Sequence, residues 1–250
     1  MRVHALCNQY LGFADVIRWG VHVAESALDY SRDCGTTDMA EPFMLSAPDL
    51  AALLCSRVCH DIISPVGAIN NGLELLDEGG ADEDAMNLIR ASARNASARL
   101  QFARIAFGAA GSAGMVIDTG DAESVATAFL RNEKPDFEWT GARWLLPKNN
   151  VKLLLNLILV ANAAIPRGGK ISVALDGSDT NPKFTVSSRG PMLRVPPKFL
   201  ELHSGNRPQE AIDAHAVQPY YTLLLAKESG MEISIHATPE EIVFAAARSE

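Results

Sequence analysis

Residues 55–66 read CSRVCHDIISPV and combine an apolar pattern with a histidine, an acid and a proline. Apolar residues recur around this stretch at spacings of three and four, which predicts an amphipathic helix. His60 lies at helical spacing from Arg57 and Ser64, so these three side chains share the polar face. The pattern therefore predicts a helix on which His60 faces solvent.

Two neighbours distinguish His60 from an ordinary surface histidine, which is the more common reading of a lone histidine. Pro65 removes a helical hydrogen bond and costs about 3 kcal/mol within a helix. We interpret it as a bend that exposes the surface around His60. Asp61 supplies a carboxylate that can orient the imidazole or accept its proton. His60 and Asp61 are therefore the candidate catalytic residues.

The helix around His60 is predicted to be the first of a hairpin that spans residues 46–113. Ser46 is its predicted N-cap, and Gly79 and Gly80 end it. Asp82 is the predicted cap of a second long helix. A single hairpin buries only one apolar stripe, so we expect two copies to pack as a four-helix bundle in a homodimer.

Residues 114–250 alternate between strand and helix patterns, which predicts an α/β sandwich and an α+β fold class for the chain. Predicted strands cover residues 115–118, 170–176, 183–188, 231–237 and 241–246, with extended segments over 136–146. Predicted helices cover residues 121–132, 148–164 and about 215–229. Residues 1–45 are interpreted as a poorly packed leader.

Composition narrows the functional classes. The net charge of −8 argues against non-specific binding to nucleic acid or to an anionic membrane. No stretch approaches the roughly 18 apolar residues that a membrane span requires. Asp15 and Arg18 interrupt the apolar N-terminal stretch, so no signal peptide is expected. We therefore expect a cytoplasmic protein.

The four cysteines indicate reduced thiols rather than a disulfide framework. Cys55 and Cys59 lie one helical turn apart, next to His60. Two thiols and one imidazole on a single helix provide too few converging ligands for a closed metal site. We therefore expect no metal site and interpret both cysteines as small buried apolar residues.

The run His60, Asp61 and Ile62, followed by Pro65, resembles the H-box of sensor histidine kinases. In that family the histidine accepts phosphate and lies on the first helix of a dimerising hairpin. Residues 72–76, which read GLELL, also resemble that box. The resemblance implies that an α/β domain follows, and in the kinases that domain binds ATP.

The nucleotide motifs of such kinases are degenerate here. Residues 156–169, NLILVANAAIPRGG, match the first motif without gaps but have Val160 where an asparagine holds magnesium. Magnesium requires oxygen ligands, which valine lacks. Ser188 occupies the position of the aspartate that reads adenine. Residues 215–221 replace the glycine-rich phosphate loop and contain no glycine. We expect a folded domain that binds ATP poorly and has no cofactor of its own.

This combination resembles the ChpT family of dimeric histidine phosphotransferases over about residues 46–247. The resemblance implies a phosphorelay in which His60 passes a phosphoryl group between receiver-domain aspartates. The implied partners are a hybrid kinase's receiver domain and response regulators of the CtrA-like and CpdR-like type. The receiver is expected to supply magnesium.

Receivers dock such bundles on the helix face around the histidine. The predicted partner-binding residues are Leu53, Arg57, Ile63, Ser64, Gly67 and Ala68. Three other functions remain open: an active kinase that uses ATP, a non-enzymatic dimeric scaffold, and a phosphatase that drains the regulators.

Overall fold

The computed structural model describes residues 44–78, 83–108, 116–205 and 211–248. Nearly all of the predicted leader lies outside these ranges. The predicted turn at Gly79 and Gly80 and the predicted cap Asp82 also lie outside them. Residues 42–250 form one compact unit, whose described part is considered below.

The predicted hairpin consists of α1, Ala47–Asp77, and α2, Glu83–Ala106. The Ser46 hydroxyl accepts a hydrogen bond from the backbone amide of Asp49 and donates one to its carboxylate, as the capping pattern predicts. Helix α1 continues through Pro65, which is buried. Gly72 lets the two helices approach, because a Cβ there would lie 2.6 Å from Ile89 Cγ1.

The second part of the chain has six further elements up to the middle of its sheet. They are β1 (Val116–Asp118), α3 (Thr119–Leu130), β2 (Asp136–Gly141), β3 (Leu145–Pro147), α4 (Lys148–Ala164) and β4 (Lys170–Gly177). The remaining elements are β5 (Pro182–Arg189), α5 (Pro197–His203), α6 (Val217–Ser229), β6 (Met231–Ala237) and β7 (Ile242–Arg248).

The main sheet has five strands in the order β2-β4-β5-β7-β6. The β2–β4 pair is parallel, and the other pairs are antiparallel. Strands β1 and β3 form a separate antiparallel pair. The predicted α+β class is confirmed, with a helical N-terminal part followed by an α/β sheet domain.

Helix α4 forms the centre of the core and has the predicted bounds. Four of its five leucines, Leu153, Leu154, Leu155 and Leu157, are completely buried, together with Phe184 and Phe244 of the sheet. The pattern analysis missed one helix, α5, which is short. It also placed the start of α6 about two residues early.

The hairpin leaves much of its apolar surface uncovered in the single chain. The large exposed apolar side chains on α1 and α2 are Ile63, Val66, Leu73, Leu75, Met86, Leu88 and Leu100. Length and composition alone would allow α1 to cross a membrane, a criterion that single helices of soluble proteins also meet. The prediction of buried cysteines is wrong, because Cys55 and Cys59 are both exposed.

Candidate functional site

The imidazole of His60 projects from α1 into solvent, and 67% of its side-chain surface is exposed. Its Nδ1 atom lies 3.3 Å from Oδ1 of Asp61. An ionised carboxylate only accepts hydrogen bonds, so this contact places the ring proton on Nδ1. The lone pair is then on Nε2, on the other side of the ring, where a reacting group can approach it.

Asp61 is itself held by Arg57, one turn earlier on α1. The Nε atom of Arg57 donates to Oδ2 of Asp61 at 3.0 Å, so each carboxylate oxygen has its own partner. Both side chains are less than one-third exposed. Arg57 is a predicted partner contact, and its Nε donor therefore also orients Asp61.

A second imidazole stands beside His60. The ring centroids of His60 and His215 are 5.6 Å apart, and the ring planes meet at 78°. His215 lies in the turn before α6, 155 residues further along the chain. Sequence reasoning noted His215 only as part of a segment without glycine, since no local pattern indicates a contact over such a distance.

The turn that carries His215 is fixed from two sides. Oδ1 of Asp213 accepts hydrogen bonds from the amides of His215 at 2.9 Å and Ala216 at 2.7 Å. The Ala216 amide is the main reason why the pKa of Asp213 is lowered. The hydroxyl of Tyr220 accepts from the amide of Leu45, just before α1.

A small apolar cluster also ties this turn to α1. Its buried members lie around the start of α6: Ile212, Ala216, Val217 and Tyr220. Side chains packed against it from the start of α1 include Leu50, Leu53 and Leu54. The α/β domain that contributes His215 thus contacts His60 of the same chain.

A cleft of about 430 Å³ opens beside Asp61. Helix α1 contributes Arg57 and Asp61 to its wall, α2 contributes Arg99, and the turn before α6 contributes His215. Charged side chains in this wall form ion pairs. Arg99 donates to Glu133 at 2.6 Å, and Arg57 donates to Asp61. Across the cleft lies the second half of α4, including Asn162.

The positions that correspond to the kinase nucleotide motifs point into the protein. Val160 is 1% exposed, and Ser188 is completely buried. The hydroxyl of Ser188 donates to the backbone oxygen of Ala161 at 3.0 Å. The proton of this hydroxyl thus joins β5 to α4.

Most of the segment that was compared with the phosphate loop lies in helix α6, and His215 and Ala216 form the turn before it. Helix α6 begins at Val217, so Gln218, Pro219, Tyr220 and Tyr221 form its first turns, and all four are buried. The side chains of these four residues therefore fill the interior of the protein at the start of α6.

The predicted partner-binding residues differ in their exposure: some are exposed, and others are half-buried. Ile63 is 70% exposed, and Ser64 is exposed beside it. Gly67 and Ala68 are half-buried. A Cβ at Gly67 would meet nothing within 4 Å, so no contact within the chain requires glycine there. Leu53 is half-buried against the apolar cluster at the start of α6.

Metal ligands do not converge near His60 within the residues that the structure describes. There, no group of three or more histidine, cysteine, aspartate or glutamate side chains is arranged to hold a metal ion.

Known proteins are similar to this chain in sequence and fold. A family model for the histidine phosphotransferase C-terminal domain matches residues 119–241. The protein phosphotransferase ChpT of Brucella abortus (strain 2308) is 75% identical over 208 residues, which are 83% of this chain and 100% of that protein. A solved bacterial phosphotransferase is 74% identical with a TM-score of 0.78, covering 82% of this chain and 98% of that one. This chain therefore belongs to the ChpT family of protein phosphotransferases.

Proposed function

We propose that His60 accepts a phosphoryl group from an aspartyl phosphate on one receiver domain and passes it to the aspartate of a second. The observation that carries the proposal is the exposed imidazole whose Nδ1 contacts Asp61. That contact leaves Nε2 as the nucleophile and gives Asp61 an orienting role.

Each transfer exchanges one bond to phosphorus for another. The lone pair of His60 Nε2 forms the N–P bond as the acyl O–P bond breaks, and the receiver's carboxylate leaves with the electron pair. The ring keeps its proton on Nδ1 and becomes positively charged, and the Asp61 carboxylate stabilises that charge. The second step is the reverse reaction with a different carboxylate.

The interior positions of the α/β domain support a protein donor rather than ATP. Val160 offers no ligand to magnesium, and the hydroxyl of Ser188 is committed to Ala161. Magnesium and most of the stabilisation of phosphoryl charge then come from the receiver domain, while this chain supplies position.

The exposed surface around His60 supports docking by a receiver. Ile63 and Ser64 lie one turn after the histidine, and Gly67 follows one turn later. We propose that these residues, with Arg57, Ala68 and the accessible part of Leu53, contact the receiver. The partners proposed by family resemblance are a hybrid kinase receiver and regulators of the CtrA-like and CpdR-like type, in the cytoplasm.

The uncovered apolar surface of the hairpin supports a homodimer. Leu73 on α1 and Leu100 on α2 are about half exposed in the single chain. Packing a second hairpin on such side chains buries them in a four-helix bundle. We therefore propose that the functional unit is a dimer, with one His60 in each chain.

A three-protein relay tests this function. A purified receiver domain carrying labelled aspartyl phosphate is mixed with this protein and a second, unphosphorylated receiver domain. We expect label to reach the second receiver through a transient acid-labile phosphohistidine, and we expect His60→Gln to abolish both signals. His236→Gln is the matched control, because His236 is an exposed histidine on β6.

The same assay separates the alternatives. Transfer that persists in His60→Gln indicates a scaffold, and this result overturns the proposal. Label that appears as free phosphate while the second receiver stays unlabelled indicates a phosphatase. Label on His60 from ATP and magnesium, with no receiver present, indicates an active kinase.

A further inference from the structure

We propose that His215 is a positioning residue for phosphoryl transfer, which orients the imidazole of His60 from the α/β domain of the same chain. This inference rests on the proposed role of His60. It assigns a function to a residue that the sequence motifs do not mark. The observation behind it is the edge-to-face contact of the two rings, at 5.6 Å and 78°.

The His60 ring needs such a second constraint. Two-thirds of its side chain is exposed, and the Asp61 contact of 3.3 Å holds only its Nδ1 edge. One contact leaves the ring free to turn about that hydrogen bond. A second aromatic ring packed nearly perpendicular to it restricts that rotation, because edge-to-face pairs have a preferred geometry. In-line attack on phosphorus depends on the direction of Nε2.

His215 can provide this constraint because its own backbone is held. Asp213 bonds the amides of His215 and Ala216, and Ala216 is buried in the apolar cluster against α1. The position of His215 relative to His60 is therefore set by the packing of α6 on α1. The α/β domain thereby takes part in the reaction through His215.

The proposed role depends on the ring and not on its charge. Charged groups of both signs surround the pair: Asp61 and Arg57 on α1, and Asp213 in the turn before α6. A phenylalanine at position 215 retains a flat ring without ionisable nitrogen. The conservative substitution His215→Phe should therefore rescue the function that His215→Ala removes.

Phosphorylation of the full-length protein by potassium phosphoramidate measures this role without a receiver. In that reaction the donor's P–N bond breaks, the bond from His60 Nε2 to phosphorus forms, and ammonia leaves. The readouts are the labelling rate by phosphorus NMR and the ring nitrogen signals of His60 in the unphosphorylated protein. The variants are His215→Ala and His215→Phe, with His236→Ala as the control.

We expect His215→Ala to shift the His60 ring signals towards a mixture of tautomers and to slow labelling about two- to tenfold. His215→Phe should restore both towards the wild-type values. The inference is overturned if His215→Ala changes neither readout, or if His215→Phe behaves like His215→Ala. If wild-type His60 is not labelled at all, the proposed function fails, and the ring signals alone then decide whether His215 positions His60.

Discussion

The side-chain amide of Gln218 donates a hydrogen bond of 3.0 Å to the backbone oxygen of Asn156, and it lies 3.3 Å from that residue's Oδ1. Gln218 is in the first turn of α6, and Asn156 is in the middle of α4. Asn156 Nδ2 in turn donates to the backbone oxygen of Ala106, at the end of α2. This buried pair therefore joins the two helices and ties them to the hairpin.

The Gln218 amide should contribute measurably to stability. Gln218→Ala removes the donor to α4 and leaves a buried oxygen without that partner, so we expect the free energy of unfolding to fall by about 1–3 kcal/mol. Chemical denaturation of the full chain measures the change. Gln101→Ala on α2 is the control, because the Gln101 amide bonds only at the exposed surface. Equal stabilities of the two variants would contradict this view of the pair.

We expect that polar groups at positions 160 and 188 do not by themselves produce nucleotide binding. The double substitution Val160→Asn with Ser188→Asp introduces polar groups, but Gln218, Pro219, Tyr220 and Tyr221 in the first turns of α6 stay buried. We expect no saturable binding of ATP and magnesium by calorimetry. We also expect Ser188→Asp to destabilise the protein, since it places a carboxylate in a completely buried position. Micromolar binding of ATP by the wild type would contradict the expectation that the domain binds ATP poorly.

Gly67 should matter for docking and not for folding. Gly67→Leu adds a side chain where no atom of the chain lies within 4 Å, and leucine favours helix by about 0.5–1 kcal/mol over glycine. We expect unchanged or increased stability and unchanged labelling by phosphoramidate. Transfer from a phosphorylated receiver should slow at least tenfold, because the added side chain obstructs its docking.

Gly72 provides the matched contrast on the same helix. Gly72→Ala puts a Cβ 2.6 Å from Ile89 Cγ1, so we expect it to lower the stability of the hairpin. Thermal unfolding of the two variants compares the sites directly. If transfer from the phosphorylated receiver is unaffected by Gly67→Leu, Gly67 is not part of the proposed docking surface.

Association of two chains should depend on the hairpin. Leu100 on α2 and Leu200 on α5 are each 50% exposed, so the same substitution can be compared at equal exposure. Leu100→Glu places a charge in the proposed bundle, and we expect it to produce monomers in light scattering after size exclusion. Leu200→Glu should leave the dimer intact. A dimer that persists in Leu100→Glu would locate the interface elsewhere.

Tyr221 should make the protein lose stability at high pH. Burial, assisted by the charge of Glu228, raises the pKa of Tyr221 to about 12. The folded state then holds the phenolic proton more tightly than the unfolded state, whose tyrosine titrates near 10. The resulting stabilisation is complete below pH 10 and is lost as the pH rises through 12. The free energy of unfolding of the wild type should therefore fall relative to Tyr221→Phe over that interval.

Lys152 changes the stability with pH in the direction opposite to that of Tyr221. It is present in both the wild type and Tyr221→Phe. Burial, with a contribution from Lys148, lowers its pKa, so the unfolded state binds more protons and stability rises with pH below about 10.5. Its Nζ also donates to the Tyr221 hydroxyl at 3.4 Å. Comparing wild type with Tyr221→Phe at each pH therefore measures the phenol together with its contact to Lys152. A difference that stays constant from pH 9 to 12 would contradict the prediction.

The pattern analysis succeeded where local chemistry decides the structure. Helix α4 has the predicted bounds: Pro147 lies directly before its first residue, and Pro166 follows its C-cap Ile165. The cap of α1 follows from Ser46 and Asp49 in the same way. The start of α6 was misplaced because Ala216 provides no side-chain cap. The Asp213 side chain, three residues before Ala216, instead accepts hydrogen bonds from the amides of His215 and Ala216, just before the helix.

The sequence alone determined that His60 lies on the solvent-facing side of a helix with Asp61 beside it, because helical spacing assigns each residue to a face. Only the tertiary structure decided what else surrounds that pair. Spacing does not reveal which neighbouring surface covers a side chain, so Cys55 and Cys59 were wrongly predicted to be buried. The contact of His60 with His215 depends on the packing of α6 against α1, which brings together residues far apart in the chain.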